Sequence, residues 1–487
     1  MLSILVCHSY FRRFDPKQVE RGKPYPPLAT LQCAALLRRV GHKVSLFDAM
    51  LAEDLGEYER RLHSLQPQVV LLYEDNFNFL TKMCLGKMRS AACRMIATAH
   101  GAGARVIAAG SDVSDAPEPY LRAGADIALK GEGLPALLEV IRRLDLAPRA
   151  SGSSLVEGVA GTATLAGPGV TAINGAKLLP EVELAERAAW DLVDMDRYRD
   201  AWLAAHGYFS LNLAASRGCS FRCAWCSKPI WGNHYLQRSP TVVGQEMGYL
   251  KRTFAPDHIW FADDIFGFRV DWVREFAAVC AEGGGAVPFT IQTRADLLSE
   301  RMVQALHEAA CVEAWLGAES GSQRILDAMN KGTTVAEIVT ARSRLKSAGI
   351  RVGFFIQLGY LGEELADIVA TRDLLSSAQP DDVGVSVSYP LPGTRFHELV
   401  KEQLGAKTHW QDSDDLAMMF QGTYTSDFYR VVRDLLHDQV SLQRPCAESR
   451  PDATRDARSL ERRWRHLLSH ERQYRSAQRM LQASVAG

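Results

Sequence analysis

The sequence predicts an α/β protein built from two successive strand–helix series followed by a helical C-terminal segment. Three observations carry that expectation. Short apolar runs alternate with helix-length amphipathic runs twice over, a Gly/Ser/Ala/Thr-rich stretch at 151–181 separates the two series, and arginine-rich helical spacing takes over late in the chain. Short strands separated by helices form parallel βαβ units. The expected organisation is a Rossmann-like doubly wound domain over 1–150, a linker over 151–205, a partial (β/α)6 barrel over 206–400 and a helical segment over 401–487.

In the first series, strands are expected at Leu2–Cys7, Lys43–Phe47, Gln68–Tyr73, Arg105–Ala109 and Ile127–Lys130, with helices over Leu28–Val40 and Met83–Thr98. The stretch at 151–181, with Pro168 and Pro180, reads as a linker or a peripheral hairpin. In the second series, strands are expected at Phe209–Ala215, His258–Phe261, Pro288–Gln292, Val312–Leu316, Val352–Gln357 and Val383–Ser388. Both architectures bind ligands at the carboxyl ends of their strands, so the loops there are where chemistry is sought. Between Arg444 and Arg479, ten arginines stand against five acids in helical spacing, which reads as a solvated helix face.

Composition narrows the class of protein. The chain has 487 residues, 47% of them hydrophobic and 23% charged, with a formal net charge of −1. That balance suits globular domains with sizeable cores and gives no reason to expect nucleic acid or an anionic membrane as partner. The first residues lack a basic n-region, and no run of about 18 apolar residues occurs, so a cytoplasmic protein without a membrane span is expected. Ten cysteines are too sparse for a disulfide framework, and in a reducing compartment closely spaced cysteines read as metal or cluster ligands.

One group qualifies. Cys219, Cys223 and Cys226 form C-x3-C-x2-C directly after an expected strand. Three thiolates on one tight loop can ligate three irons of a cubane and leave the fourth iron open for the amino and carboxyl groups of a methionine moiety. Zinc would need a fourth ligand, and no second C-x2-C or H-x3-H pair follows at finger spacing. The remaining cysteines, Cys7, Cys33, Cys84, Cys93, Cys280, Cys311 and Cys446, have no paired spacing and read as small buried hydrophobes.

This loop resembles the signature of the radical S-adenosylmethionine (SAM) superfamily. The resemblance implies a [4Fe–4S] cluster on Cys219, Cys223 and Cys226, with Trp225 in the aromatic place before the third cysteine, bordering the adenine. Gly317-Ala-Glu319-Ser320-Gly321-Ser322 looks like the family's ribose-binding segment, and a carboxylate at Glu319 is a suitable acceptor for two ribose hydroxyls; its plainer reading is part of a helix N-terminus capped by Ser320 or Ser322. Asp263 and Asp264 end the second strand and would face the open site, whereas Arg294, ending the third, either holds a carboxylate or forms a salt bridge across the barrel.

The first series is similar to the cobalamin-binding domain fused to many radical SAM enzymes. Pro26-Pro27-Leu28-Ala29, Gly110-Ser111-Asp112 and Gly131-Glu132-Gly133 fall where that domain places them, and Asp75-Asn76, after the third strand, would border the corrin in this arrangement. The D-x-H-x-x-G pattern whose histidine ligates cobalt in methionine synthase and the mutases is missing. Only Thr98-Ala-His100-Gly-Ala-Gly103 approaches it, with His8 as a remote alternative, so cobalt without a protein histidine is expected.

The resemblance covers about residues 1–440. It is closest to the subgroup of anaerobic magnesium-protoporphyrin monomethyl ester cyclase and the cobalamin-dependent radical SAM methylases. It implies hydrogen abstraction by a 5′-deoxyadenosyl radical, then methyl transfer from methylcobalamin to an unactivated carbon or phosphorus of a small metabolite. Oxidative cyclisation of a tetrapyrrole is the alternative. It also implies an electron donor such as flavodoxin or ferredoxin.

Overall fold

The computed structural model describes residues 1–167, 169–173, 187–226, 230–444 and 453–476. Pro168, Pro180 and Cys446 lie outside the described residues. The first series folds into one sheet of β1 (Ser3–Cys7), β2 (Lys43–Phe47), β3 (Val69–Tyr73), β4 (Arg105–Ala109), β5 (Ile127–Leu129), β6 (Thr162–Ala166) and β7 (Gly169–Ile173), in the order β2-β1-β3-β4-β5-β6-β7. The first five strands pair in parallel. The order 2-1-3-4-5 reverses direction between β1 and β3, which opens a crevice beyond their carboxyl ends. Strands buried on both faces account for the unbroken apolar run of β3, where all five residues are buried.

β6 and β7 form an antiparallel hairpin that continues the sheet beyond β5. They lie in the stretch expected as linker, where glycine and small residues hide the strand alternation. Over Thr162–Ala166 and Gly169–Ile173 the stretch is the hairpin that the sequence reading offers as an alternative, and residues 174–181 lie outside the described residues.

The second series forms a curled, all-parallel half-barrel: β8 (Ser210–Leu213), β11 (His258–Phe261), β12 (Phe289–Thr293), β13 (Cys311–Glu319), β14 (Arg351–Leu358) and β15 (Asp382–Val387), in the order β15-β14-β13-β12-β11-β8. A short antiparallel hairpin, β9 (Ser216–Gly218) with β10 (Tyr235–Gln237), flanks the cysteine loop. The fold class is the expected one: Rossmann-like sheet, partial (β/α)6 barrel, helical C-terminus. In that last part, helix Ser426–Gln443 packs on β15, and helix Ala453–Ser469 packs on it in turn, burying Trp464 and Leu467 while most of its arginines stay exposed. Among the described residues no helix is long and apolar enough to cross a membrane.

The sheet and the barrel are joined by specific contacts. Glu132, after β5, pairs with Arg217 of β9, both about 3% exposed. Trp231 stacks near Phe77 and lends its Nε1–H to Glu132 at 3.4 Å. Lys82 reaches Asp264 at 2.5 Å, and Asn212 of β8 donates to the Pro26 carbonyl at 2.9 Å. The carboxyl ends of the two sheets are thereby tied together.

Candidate cluster and cofactor site

The cysteine loop leaves β9 and is held from three sides. Ala224 N–H donates to the Met329 carbonyl at 2.8 Å, the Asn330 amide donates to the Arg222 carbonyl at 2.7 Å, and Phe396 N–H donates to the Ala224 carbonyl at 2.9 Å. At its root, Asp263 accepts from Ala215 N–H at 3.0 Å and from the Ser216 hydroxyl at 2.5 Å. Burial pushes the Asp263 carboxyl up to about 7. Asp263 therefore fastens the start of the loop, and Asp264 is taken by Lys82.

Cys219, Cys223 and Cys226 are all partly exposed, unlike the buried Cys7, Cys33, Cys84, Cys280 and Cys311; Cys93, expected to be buried, is partly exposed as well. Two cations stand beside Cys223. Arg294 Nη1 lies 3.8 Å from its Sγ, with the guanidinium 3.7 Å from the Phe221 ring centroid and doubly bonded to Asp296 at 2.9 and 3.0 Å. Lys331 is the other. Burial alone would lower its pKa, but Glu319 and the Cys223 sulfur outweigh that and raise it, so the ammonium stays charged.

Lys331 carries no motif of its own in the sequence. Its Nζ sits 2.7 Å from Glu319 Oε1, with both side chains about 7% exposed or less. Glu319 itself ends β13 with φ of 61°, a left-handed conformation unfavourable for a residue with a Cβ. Such strain concentrates at functional sites, where the surroundings over-determine it. Gly317 is confined by the same pair, since a Cβ there would lie 2.5 Å from Lys331 Nζ and 2.7 Å from Glu319 Oε1.

Trp225 packs against the cluster of Ile325, Met329, Tyr360, Phe396, Val400 and Phe420, and its Nε1 is buried without a partner. Ser320 turns inward to its own loop, its hydroxyl 3.2 Å from Thr371 Oγ1 and accepting from Ser322 N–H at 3.1 Å. The structure thus brings Arg294 and Lys331 beside Cys223, with Glu319 on Lys331, while Trp225 packs on the neighbouring apolar cluster and Ser320 shapes the turn. Among the described residues no three His, Cys, Asp or Glu side chains are gathered as a metal site.

On the sheet side, the expected residues line the carboxyl ends of β3, β4 and β5. Asp75 accepts from Ala29 N–H at 3.0 Å and Phe77 N–H at 3.3 Å, and burial pushes its carboxyl up to about 6. It orders the entry to helix Leu28–Arg39. Asn76 and Ser111 are each 1% exposed, and Asn76 Oδ1 and Ser111 Oγ have no partner. Buried polar atoms left unpaired are costly. Gly110 permits the close passage of β3's exit, because a Cβ there would meet Glu74 Cγ at 2.7 Å. Gly131 N–H donates to Ser114 Oγ at 2.9 Å, and Glu132 faces Arg217 as described.

The histidines separate clearly. His100 is exposed at the end of helix Gly86–Gly101, which leads into the amino end of β4, the edge opposite the crevice. His8 follows β1 in the crevice, fully buried, with Nε2 2.9 Å from Asp48 Oδ1; burial opposes its protonation, but Asp48 outweighs this and raises its pKa.

Comparison with known proteins agrees with this geometry. Residues 213–375 match the model of the radical SAM superfamily. An uncharacterised methyltransferase of Pyrococcus horikoshii is 25% identical over 387 residues, spanning 77% of this chain and 79% of that protein. The anaerobic magnesium-protoporphyrin IX monomethyl ester cyclase of Rubrivivax gelatinosus is 25% identical over 58% of this chain, which spans about half (49%) of the cyclase. Among solved structures, the radical SAM methyltransferase TsrM of Kitasatospora setae, with cobalamin and a [4Fe–4S] cluster bound, superposes with a TM-score of 0.65 at 16% identity, covering 83% of this chain and 79% of that one. The cobalamin-dependent SAM radical enzyme OxsB, with aqua-cobalamin bound, gives 0.63 at 18% identity, covering 82% of this chain and 55% of that one. At these identities the likeness is one of fold. Residues 213–375 thus match the radical SAM superfamily model, and the half-barrel with its Rossmann-like sheet shares the fold of the TsrM and OxsB structures.

Proposed function

We propose that this chain is a cobalamin-dependent radical SAM methyltransferase that methylates an unactivated carbon or phosphorus of a small metabolite. The observation that carries the reading is the pairing of two ligand-ready strand ends across one interface. On the barrel, three thiols share a loop beside Glu319, Lys331 and Arg294. On the sheet, Asn76 Oδ1 and Ser111 Oγ are buried without partners.

The residues present fit the groups that this chemistry requires. Cys219, Cys223 and Cys226 supply the soft donors a [4Fe–4S] cluster takes, and an open fourth iron leaves room for SAM. Glu319 would offer Oε2 to the ribose hydroxyls while Oε1 is held by Lys331, and Trp225, whose Nε1 is buried without a partner, would border the adenine. Asn76 and Ser111 suit a corrin, whose carboxamides donate hydrogen bonds to such acceptors. No histidine ligand to cobalt is proposed: His100 lies at the opposite edge of the sheet, and His8, although its Nδ1 is buried without a partner, is outside any D-x-H-x-x-G pattern and has its Nε2 held by Asp48. When bound, the cluster supplies the electron that cleaves SAM and cobalamin carries the methyl group. The chain's own task is to position both around one substrate and keep water out, which converts an improbable encounter into an oriented step. An electron donor such as flavodoxin or ferredoxin, and a reducing cytoplasm, belong to the same reading.

Tetrapyrrole cyclisation is a second reading, favoured by the likeness to the Rubrivivax gelatinosus cyclase over about half its length. The experiment for the shared part is anaerobic reconstitution with iron, sulfide and cobalamin, followed by assay of SAM cleavage. Stoichiometric cobalamin and 5′-deoxyadenosine formation are expected; a protein that takes up neither cluster nor cobalamin contradicts the proposal.

A further inference from the structure

Accessibility alternates along β11, β15 and the Glu313–Ala318 part of β13, whereas β8 is buried throughout and, in β12 and β14, Thr290 and Gly353 are buried beside half-buried Gln292 and Phe355. Ile259 and Phe261, Phe289 and Ile291, Ala314 and Leu316, Phe354 and Ile356, Val383 and Val385 are buried against the surrounding helices. Their neighbours of opposite pleat parity, Trp260, Gln292, Trp315, Phe355 and Ser386, are only half-buried although they face the inside of the barrel. A barrel filled by its own side chains buries them. Trp260, Gln292, Trp315, Phe355 and Ser386 leave part of this lumen accessible, while Asn212, Thr290 and Gln357 on the same walls are buried.

Its walls have a definite chemistry. Trp315 and Phe355 stack at 4.8 Å with 30° between their planes. They lie flat because the wall beneath them is glycine: a Cβ on Gly353 would stand 2.4 Å from the Trp315 ring, and one on Gly384 would stand 3.2 Å from Phe355. Asn212, Gln357 and Ser388 are at most 5% exposed, and Asn212 Oδ1, Gln357 Oε1 and Ser388 Oγ have no partner. Charge lies at the two ends, and at the amino end the Glu313 carboxylate reaches the aromatic pair itself, accepting from Trp315 Nε1–H at 3.3 Å. Glu319–Lys331 and Arg294–Asp296 close the carboxyl end, and Glu313–Arg351 with Asp382–Arg444 occupy the amino end. At the floor, His258 is held between Ser210 Oγ and Thr290 Oγ1, both at 2.8 Å, and burial pushes it down to about 4, so it is neutral. Between these ends, no inward-facing strand position is charged.

We infer that the lumen takes an uncharged, planar aromatic substrate, laid against the Trp315–Phe355 pair with its N–H or O–H edges on Asn212, Gln357 and Ser388. The inference rests on the radical SAM reading of the same barrel and adds the substrate class. A carboxylate or phosphate in mid-lumen would be desolvated without a cation, because Arg294 and Lys331 are already committed to acids.

The test uses the anaerobically reconstituted holoenzyme and two probes of one shape, indole-3-carboxamide and indole-3-carboxylate, with affinities from calorimetric titration. The amide should bind saturably and at least about tenfold more tightly than the carboxylate. Trp315→Leu should weaken the amide about two- to tenfold, the worth of a lost aromatic stack, with thermal unfolding run as the folding control. Equal or tighter binding of the carboxylate, no saturable binding of the amide, or an unchanged affinity in folded Trp315→Leu overturns the inference. SAM cleavage by the same wild-type preparation separates the two claims. Cleavage with failed probe discrimination removes the substrate class alone, whereas absent cleavage removes the radical reading.

Discussion

Glu319→Gln isolates the charge that the barrel offers to SAM. The substitution preserves shape and leaves an amide oxygen to accept from Lys331, whereas Glu319→Ala would strand a buried ammonium and confound binding with stability. In the wild type, Oε1 is occupied by Lys331 at 2.7 Å and Oε2 remains for the ribose. Charge-assisted hydrogen bonds are worth roughly 1.5–3 kcal/mol and neutral ones roughly 0.5–1.5. The loss is therefore about 1 kcal/mol per ribose hydroxyl, or about fivefold for one and about thirtyfold for two. The assay is anaerobic equilibrium dialysis of SAM against reconstituted protein, with iron and sulfide content measured on the same samples. A full cluster with affinity reduced in that range is expected. A full cluster with unchanged affinity would refute the ribose role and leave Glu319 as the structural partner of Lys331 alone.

Other perturbations follow from the same geometry. Replacing Cys219, Cys223 and Cys226 together by alanine should abolish the iron, sulfide and charge-transfer absorbance; near wild-type iron would sink the cluster assignment. Electron paramagnetic resonance of the Co(II) form should show no splitting from a protein nitrogen, and a splitting removed by His8→Ala or His100→Ala would contradict that. Asp263 is raised from 3.8 to about 7 in the folded chain, so its ionisation destabilises the fold progressively from about pH 4 and fully above about pH 7, by an amount of order 4 kcal/mol. The stability of Asp263→Asn relative to wild type should then climb across that window, and a difference independent of pH would show that the carboxyl is not raised. Glu132→Ala removes the buried carboxylate facing Arg217 at the seam between sheet and barrel and should cost about 3–5 kcal/mol in denaturant unfolding; a change within 0.5 kcal/mol would mean the seam does not depend on the pair.

Much of the architecture is legible in the sequence because parallel strands buried on both faces leave continuous apolar runs. Lys43–Phe47, Arg105–Ala109 and His258–Phe261 fall where the alternation puts them. β13 runs longer than its apolar core, from Cys311 to Glu319, because Glu313 and Gly317 face the lumen and break the run. The β9–β10 hairpin escapes notice for another reason: each strand has three residues, and the cysteine loop intervenes. The thiols are legible because cluster ligation needs close spacing on one loop. Lys331 is not, since its role arises from a turn that returns it to Glu319 twelve residues later. The pairing of Glu132 with Arg217 spans 85 residues and two sheets, which no local pattern records.

The central claim is methyl transfer, and the fate of a labelled methyl group tests it most directly. With SAM bearing a trideuteromethyl group and a substrate in hand, mass spectrometry should find the intact label in the product, with one 5′-deoxyadenosine and one S-adenosylhomocysteine for each molecule formed. 5′-Deoxyadenosine accumulating in step with an unlabelled product would contradict the account and assign the chain to cyclisation or rearrangement instead.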